Sequence, residues 1–237
     1  MIVANPAYGS ITEDWFDPGY WGECASPVAT GGRGGAWFIS AEQGDLVLRH
    51  YRRGGLIARV SEKSYVNTGL NRTRSFREFQ LLRTLYNRGL PVPEPVAAWA
   101  GTHHGLWYHA AILTRRIEGA VPWPEVPNSG DEALWRQVGR MIRRFHDAGL
   151  DHVDLNCDNI LMANGELYLI DLDRCRLRSS SGGNWQQANL NRLWRSVVKR
   201  MSTFTERQRE SLWKCLVEGY HTQPLSGSGA EPGKTVL

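Results

Sequence analysis

At 237 residues, with 41% hydrophobic and 22% charged side chains, the chain can bury a real core, as one large domain or as two lobes. No apolar run approaches the roughly 18 residues of a spanning helix, and the opening MIVANPAYGS lacks the basic and apolar regions of a cleaved signal, so neither is expected. The net charge of +4 comes with no nucleic-acid-binding motif, and four scattered cysteines (Cys24, Cys157, Cys175, Cys215) form no CxxC pair, which excludes a structural zinc site and points to a reducing, cytoplasmic setting.

The basic residues are unusual in kind, 24 Arg against 4 Lys. Codon usage in a GC-rich genome accounts for such a bias. A guanidinium fork also binds phosphate and carboxylate through paired hydrogen bonds, so an Arg-rich surface suits an anionic partner. Ten tryptophans fit a core, or a surface that meets a membrane.

In chain order, the first thirty residues are rich in Gly, Pro and aromatics and carry no clear period. GGRGGAWFIS (31–40) is a glycine cluster leading into a strand, and DLVLRHYRRGG (45–55) follows the Gly44-Asp45 turn as a second strand. Residues 54–75 are basic and turn-rich, with Arg59, Lys63, Arg72 and Arg74. SFREFQLLRTLYNRGLPVP predicts a helix capped by Ser75, with Phe79, Leu82 and Tyr86 on one face, ended by Gly89 and stopped by Pro91. Ser75-x-x-Glu78 reads as a capping box, which competes with any role of Glu78 in an ion pair.

Strands are expected across 106–119. Asp131 then caps a helix whose stripe is Leu134, Val138, Met141 and Phe145, closed by Gly149. Two further helices are expected near 187–201 and 205–221. The expected fold is therefore α+β: an N-lobe of strands and one helix (1–118), a mainly helical C-lobe (119–224) and a flexible tail (225–237), with the lobes joined near 116–122.

The densest chemistry lies in DHVDLNCDNILMANGELYLIDLD (151–173). Asn164-Gly165 between two apolar runs predicts a two-residue hairpin that sets 163 opposite 166 and 159 opposite 170. Asn159 and Asp171 then meet at its open end, with Asp154 in the loop that feeds it. An amide oxygen and a carboxylate there make a hard-oxygen site suited to Mg²⁺, and a second carboxylate can accept a proton. Phosphoryl transfer uses this division of labour. His103, His104 and His109 have metal-compatible spacing but no acidic or Cys ligand near them, so no metal cluster is expected.

HVDLNCDN and LIDLD resemble the catalytic loop and the metal-binding Asp segment of the protein-kinase-like superfamily. That resemblance implies a bilobal fold with ATP in the cleft, Asp154 as catalytic base and Asn159 and Asp171 as Mg²⁺ ligands. It places Gly32, Gly34 and Gly35 in the phosphate loop, Arg49 where the phosphate-pairing lysine normally stands, and Glu78 as its helix partner. His152 would shape the loop. The chain departs from protein kinases at Val153, at Asp173 in place of a glycine, and in lacking an APE segment, all of which disfavour protein substrates.

RHYRRGG, REFQLL, GLPVPEPVAA and HVDLNCDNILM…LIDLDRCRLR together resemble the 3-deoxy-D-manno-octulosonic acid (Kdo) kinases of lipopolysaccharide synthesis over nearly the whole chain. This implies phosphorylation of a Kdo hydroxyl, O4, on Kdo–lipid A by a peripheral enzyme on the anionic cytoplasmic face of the inner membrane. Arg52, Arg53, Arg174 and Arg176 are then the candidate acceptor-binding residues, with Arg59, Arg72, Arg74 and Arg178 nearby. Two alternatives stay open: the same fold acting on a heptose or an aminoglycoside, and a non-catalytic binding module suggested by Arg49.

Overall fold

The computed structural model describes residues 1–28, 35–51, 73–103, 107–179 and 183–222. Gly32, Gly34, Arg52, Arg53, Arg59, Lys63, Arg72, His104 and the tail 225–237 lie outside these residues.

Six strands form one antiparallel sheet in the order β1-β5-β6-β4-β3-β2: β1 Ile2–Ala4, β2 Ala25–Pro27, β3 Ala36–Ile39, β4 Leu46–His50, β5 Pro95–His103 and β6 Trp107–Arg115. Strand alternation decides what each face carries. On β4, Leu46 and Leu48 point outward, into a cluster with Trp15, Phe16, Ile39, Val96, Ala97, Ala111 and Leu113. The N-terminal segment, with its short helix α1 (Pro18–Trp21), closes that face. Val96 and Ala97 share it because a bulge between Pro95 and Ala97 shifts the register. On the other face, Arg49 turns toward helix α2 (Arg74–Asn87), and Tyr51, just past β4, does the same.

Helix α2 begins two residues earlier than its sequence suggests. Thr73, not Ser75, is the N-cap residue, and its side chain makes no capping bond. Ser75 is inside the helix and fully buried, and its hydroxyl donates to the Trp99 carbonyl at 3.0 Å. The capping box therefore does not form. Phe76, Phe79, Leu82 and Leu85 make the buried stripe, while Tyr86 is exposed.

The C-lobe starts with β7 (Val121–Pro122), which pairs with β9 (Ile160–Ala163), itself paired with β10 (Glu166–Leu169). Helix α3 (Glu132–Asp147) is capped by Asp131 and buries Leu134, Val138, Met141 and Phe145 as its spacing requires. It packs closely against α5 (Glu206–His221), because a Cβ on Gly139 would overlap the Leu216 carbonyl and one on Gly219 the Arg136 carbonyl. Helix α4 (Trp185–Arg200) buries Asn189, Leu190, Leu193 and Val197 and packs against β8 (Leu150–Asp151), which pairs with β11 (Arg176–Leu177), and against the loop that follows β8. One hydrophobic core runs from α2 through α3 to α5 and so joins the two lobes.

Candidate active site

The hairpin takes the expected register, with Glu166 opposite Ala163 and Leu169 opposite Ile160. Asn164 (φ 50°) and Gly165 (φ 80°) make the turn, both left-handed as a type I′ turn demands. At the open end, Ile170 N–H donates to the Asn159 carbonyl at 3.0 Å, which places Asn159 next to the strand leading to Asp171.

The feeding loop is held by local hydrogen bonds. Asn156 Oδ1 accepts from the N–H groups of Asp158 (2.9 Å) and Asn159 (3.1 Å), capping a 3-10 turn over Cys157–Asn159. The Asp154 carbonyl accepts from Asn159 Nδ2 (3.0 Å) and Asn156 Nδ2 (3.1 Å). Leu155 is buried beside it, so the backbone is pinned while the Asp154 side chain stays exposed. His152 is buried, its Nε2 is 3.1 Å from the Ile170 carbonyl, and burial pushes its pKa down, so it is a neutral spacer between loop and hairpin.

Three groups with no sequence signal of their own complete this support. Asn189 on α4 accepts from His152 N–H at 2.9 Å and donates to Asp151 Oδ1 at 3.1 Å. Asp151 Oδ2 accepts from Arg178 Nη2 (2.7 Å) and Arg176 Nε (3.2 Å). Burial would raise the Asp151 pKa, but Arg178, Asn189 and Arg176 outweigh it and hold the carboxyl below its ordinary range. Ser196 accepts from Cys157 N–H at 2.9 Å. The expected arginine stripe is thereby divided: Arg176 and Arg178 turn to Asp151, and Arg174 is left exposed, its backbone left-handed at φ 63°.

Across the cleft, Arg49 Nη2 lies 2.5 Å from both oxygens of Glu78, which is only 4% exposed. The Tyr51 hydroxyl donates to Glu78 Oε2, and the Arg49 guanidinium carbon is 4.8 Å from the Tyr51 ring centroid. Burial opposes charge on Arg49, yet Glu78 and Asp171 keep its pKa above the ordinary arginine range. Burial likewise pushes Glu78 upward against the pull of Arg49 and Tyr51, so the pair exists only as a pair. Of the expected phosphate loop, Gly35 is described; its carbonyl accepts from His50 N–H at 2.7 Å.

Arg49 Nη1 also reaches Asp171 Oδ1 at 3.1 Å, but out of hydrogen-bond alignment, so this buried oxygen has no donor. Asp171 is itself left-handed, at φ 59°. A non-glycine residue held there costs about 1–3 kcal/mol and is characteristic of functional positions. A buried carboxylate oxygen without a hydrogen-bond donor fits a divalent cation, and Asn159, bonded through its backbone to Ile170, is the neighbouring residue whose amide oxygen could add a second ligand. Among the described residues no group of three His, Cys, Asp or Glu side chains forms a metal cage, which leaves a Mg²⁺ to be completed by water and phosphate, as that ion prefers. A separate cleft of about 310 Å³ lies against α3, near Arg140, Arg144, Glu166 and Thr222, and holds none of these groups.

A strand-rich lobe with one helix, an Arg–Glu pair facing an Asp at a hairpin mouth, and a helical second lobe make this a bilobal protein-kinase-like fold. The structure superimposes on WaaP in complex with acyl carrier protein at a TM-score of 0.58 and 19% identity, over 94% of this chain and 90% of that one. It also matches the Rio2 kinase–ADP/Mg²⁺–phosphoaspartate complex from Chaetomium thermophilum at a TM-score of 0.50 and 20% identity, over 81% and 62%. The chain belongs to the lipopolysaccharide kinase (Kdo/WaaP) family, whose sequence profile matches residues 19–220. It is 50% identical over 186 residues to a 3-deoxy-D-manno-octulosonic acid kinase of Xylella fastidiosa (strain M23), covering 78% of this chain and 74% of that one. It is also 50% identical over 188 residues to one from Stenotrophomonas maltophilia (strain R551-3), covering 78% and 75%.

Proposed function

We propose that the protein transfers the γ-phosphate of ATP to a Kdo hydroxyl, O4, on Kdo–lipid A. The observation that carries this is the Arg49–Glu78 pair standing over Asp171, in a chain half identical to named Kdo kinases. Asp154 accepts the acceptor's hydroxyl proton as its oxygen bonds to the γ-phosphorus and the bond to ADP breaks. Asp171 and Asn159 would hold Mg²⁺, which neutralises phosphate charge when bound. Arg49 supplies a fixed cation to the α- and β-phosphates, with Gly32, Gly34 and Gly35 covering them.

The acceptor carries a carboxylate on Kdo and phosphates on lipid A. Arg174, exposed beside the metal Asp, and Arg52 and Arg53, which follow β4 in sequence, are the cations assigned to it. Arg176 is assigned a lesser part, because Asp151 already holds its Nε. No helix among the described residues is long and apolar enough to cross a membrane. Peripheral attachment to the anionic cytoplasmic face of the inner membrane needs only several arginines at about 1 kcal/mol each.

The test is purified protein with Mg·ATP and Kdo–lipid A, read by mass spectrometry, with heptose and aminoglycoside acceptors alongside. A gain of one phosphate on Kdo–lipid A is expected. Phosphorylation of the other acceptors with Kdo–lipid A untouched rejects the assignment.

A further inference from the structure

The fragment Asp171-Leu172-Asp173 offers two carboxylates, and they have different fates. Asp171 keeps a buried oxygen without a donor. Both oxygens of Asp173 are taken by one guanidinium: Arg74 Nε donates to Oδ1 at 3.0 Å and Nη2 to Oδ2. Arg74 is the first residue of α2, so this fork joins the helix of one lobe to the segment that carries the cleft carboxylate of the other. Asp173 is 14% exposed and Arg74 32%, which sets the pair apart from a solvated surface ion pair.

Two further observations tie the fork to the site. The Tyr51 ring centroid is 5.4 Å from the Arg74 guanidinium and 4.8 Å from that of Arg49, so one ring serves both cations while its hydroxyl donates to Glu78. The segment itself needs restraint. Asp171 and Arg174 are both left-handed, at φ 59° and 63°, around a turn closed by Cys175 N–H on the Leu172 carbonyl at 3.0 Å. Leu172, 1% exposed, anchors the turn on its inner side. On its outer side Asp173 is the anchor. Charge pairing points the same way: Arg49 pairs with Glu78 and Asp171, and Arg74 pairs with Asp173, so all three carboxylates meet a cation.

We propose that Arg74 and Asp173 are positioning residues, a cross-lobe fork braced by Tyr51 that fixes the orientation of Asp171 and seats α2 so that Glu78 meets Arg49. The proposal rests on the phosphotransfer reading for its catalytic consequence, but its structural half stands on the apo protein. It gives Asp173 a job at a position where protein kinases carry a glycine: the residue pins the metal segment instead of leaving it free to turn.

The experiment compares Arg74→Gln, Asp173→Asn and the double variant in three assays. In hydrogen exchange without nucleotide, either single variant is expected to speed exchange at both ends of the fork, the first turn of α2 and residues 171–175. In calorimetry with Mg·ADP and no acceptor, half-saturating Mg²⁺ is expected to rise about tenfold. In turnover, kcat is expected to fall about 10- to 100-fold, and the double variant to be no worse than the worse single, because the two side chains act as a unit. Arg74→Lys, which keeps the charge but not the fork, is the milder variant and should show the same Mg²⁺ shift in reduced form. Exchange confined to the mutated end, an unchanged Mg²⁺ requirement, or losses that multiply in the double variant overturn the proposal. An inert Kdo–lipid A acceptor alongside altered exchange would sink the substrate reading and leave the fork standing.

Discussion

On the C-lobe side of the cleft, Asp154, Asn159 and Asp171 come from one stretch of chain, residues 154–171, and backbone hydrogen bonds set their spacing. On the N-lobe side, Arg49, Tyr51 and Glu78 come from a strand and a helix that meet only in the folded protein, and charge holds them together. A hairpin keeps its geometry when one side chain changes. A buried ion pair does not, because removing one partner leaves the other charged and unsatisfied. The two halves should therefore fail differently when cut: the first loses chemistry at constant structure, the second loses geometry and nucleotide affinity together.

The largest expected effect is on the hairpin side. Asp154→Asn should keep the fold and Mg·ADP affinity while kcat drops by roughly two to four decades, the range of acid–base groups. A turnover close to normal would remove Asp154 from the role and, with it, the claim that this half is purely chemical.

A smaller effect is expected across the cleft. Glu78→Gln leaves Arg49, already 3.1 Å from Asp171, with a single carboxylate to pair with, so Arg49 should close on Asp171 and compete with Mg²⁺. Roughly 10- to 100-fold is the cost of losing a partner that orients a metal ligand's neighbour, and most of it should appear in the KM for ATP. Arg49→Lys should retain part of the activity. Unchanged kinetics in Glu78→Gln would show that the ion pair is scenery.

The smallest effect concerns stability away from both halves. His146 is 2% exposed between α3 and α5, its Nδ1 2.7 Å from the Tyr220 hydroxyl, and burial lowers its pKa to about 4 despite the opposing pull of Asn189 and Asp147. The folded protein thus keeps this ring neutral at pH values where the unfolded chain protonates it near 6.5. Its contribution is complete above about 6.5 and lost as pH falls toward 4, by up to about 1.4 kcal/mol per pH unit. Tm measured from pH 7.5 to 4.5 should fall less steeply in His146→Phe than in the parent; equal slopes would refute the assignment.

The same division governs what a reader of the chain can see. Asn164-Gly165, Asp131 and the α3 stripe declare themselves because turns, caps and helical periods are local, and the pairing of 159 with 170 follows from the turn alone. Glu78 was ambiguous for a physical reason: Ser75-x-x-Glu78 satisfies the local rule for a capping box, and only the long-range position of Arg49 and the pull of Trp99 on Ser75 decide against it. Asp151, Asn189 and Ser196 leave no periodic trace, since a single polar side chain bonding to a distant side chain or backbone amide has no sequence spacing. Arg176 and Arg178 remain exposed, and only the β8–β11 register, which sets Arg176 opposite Asp151, shows that both also pair with that carboxylate.

Where α3 crosses α5, the contact is backbone against backbone, through Gly139 and Gly219. A side chain at either glycine would force the helices apart, so the crossing distance is set by the backbones themselves. The chain leaving α3 passes through Gly149 directly into Leu150–Asp151, so the loop that carries Asp154 is rooted on this crossing. Residues 116–120, between β6 and β7, are held by a turn from Ala120 to Ile117 and a backbone bond from Arg116 to Asp45.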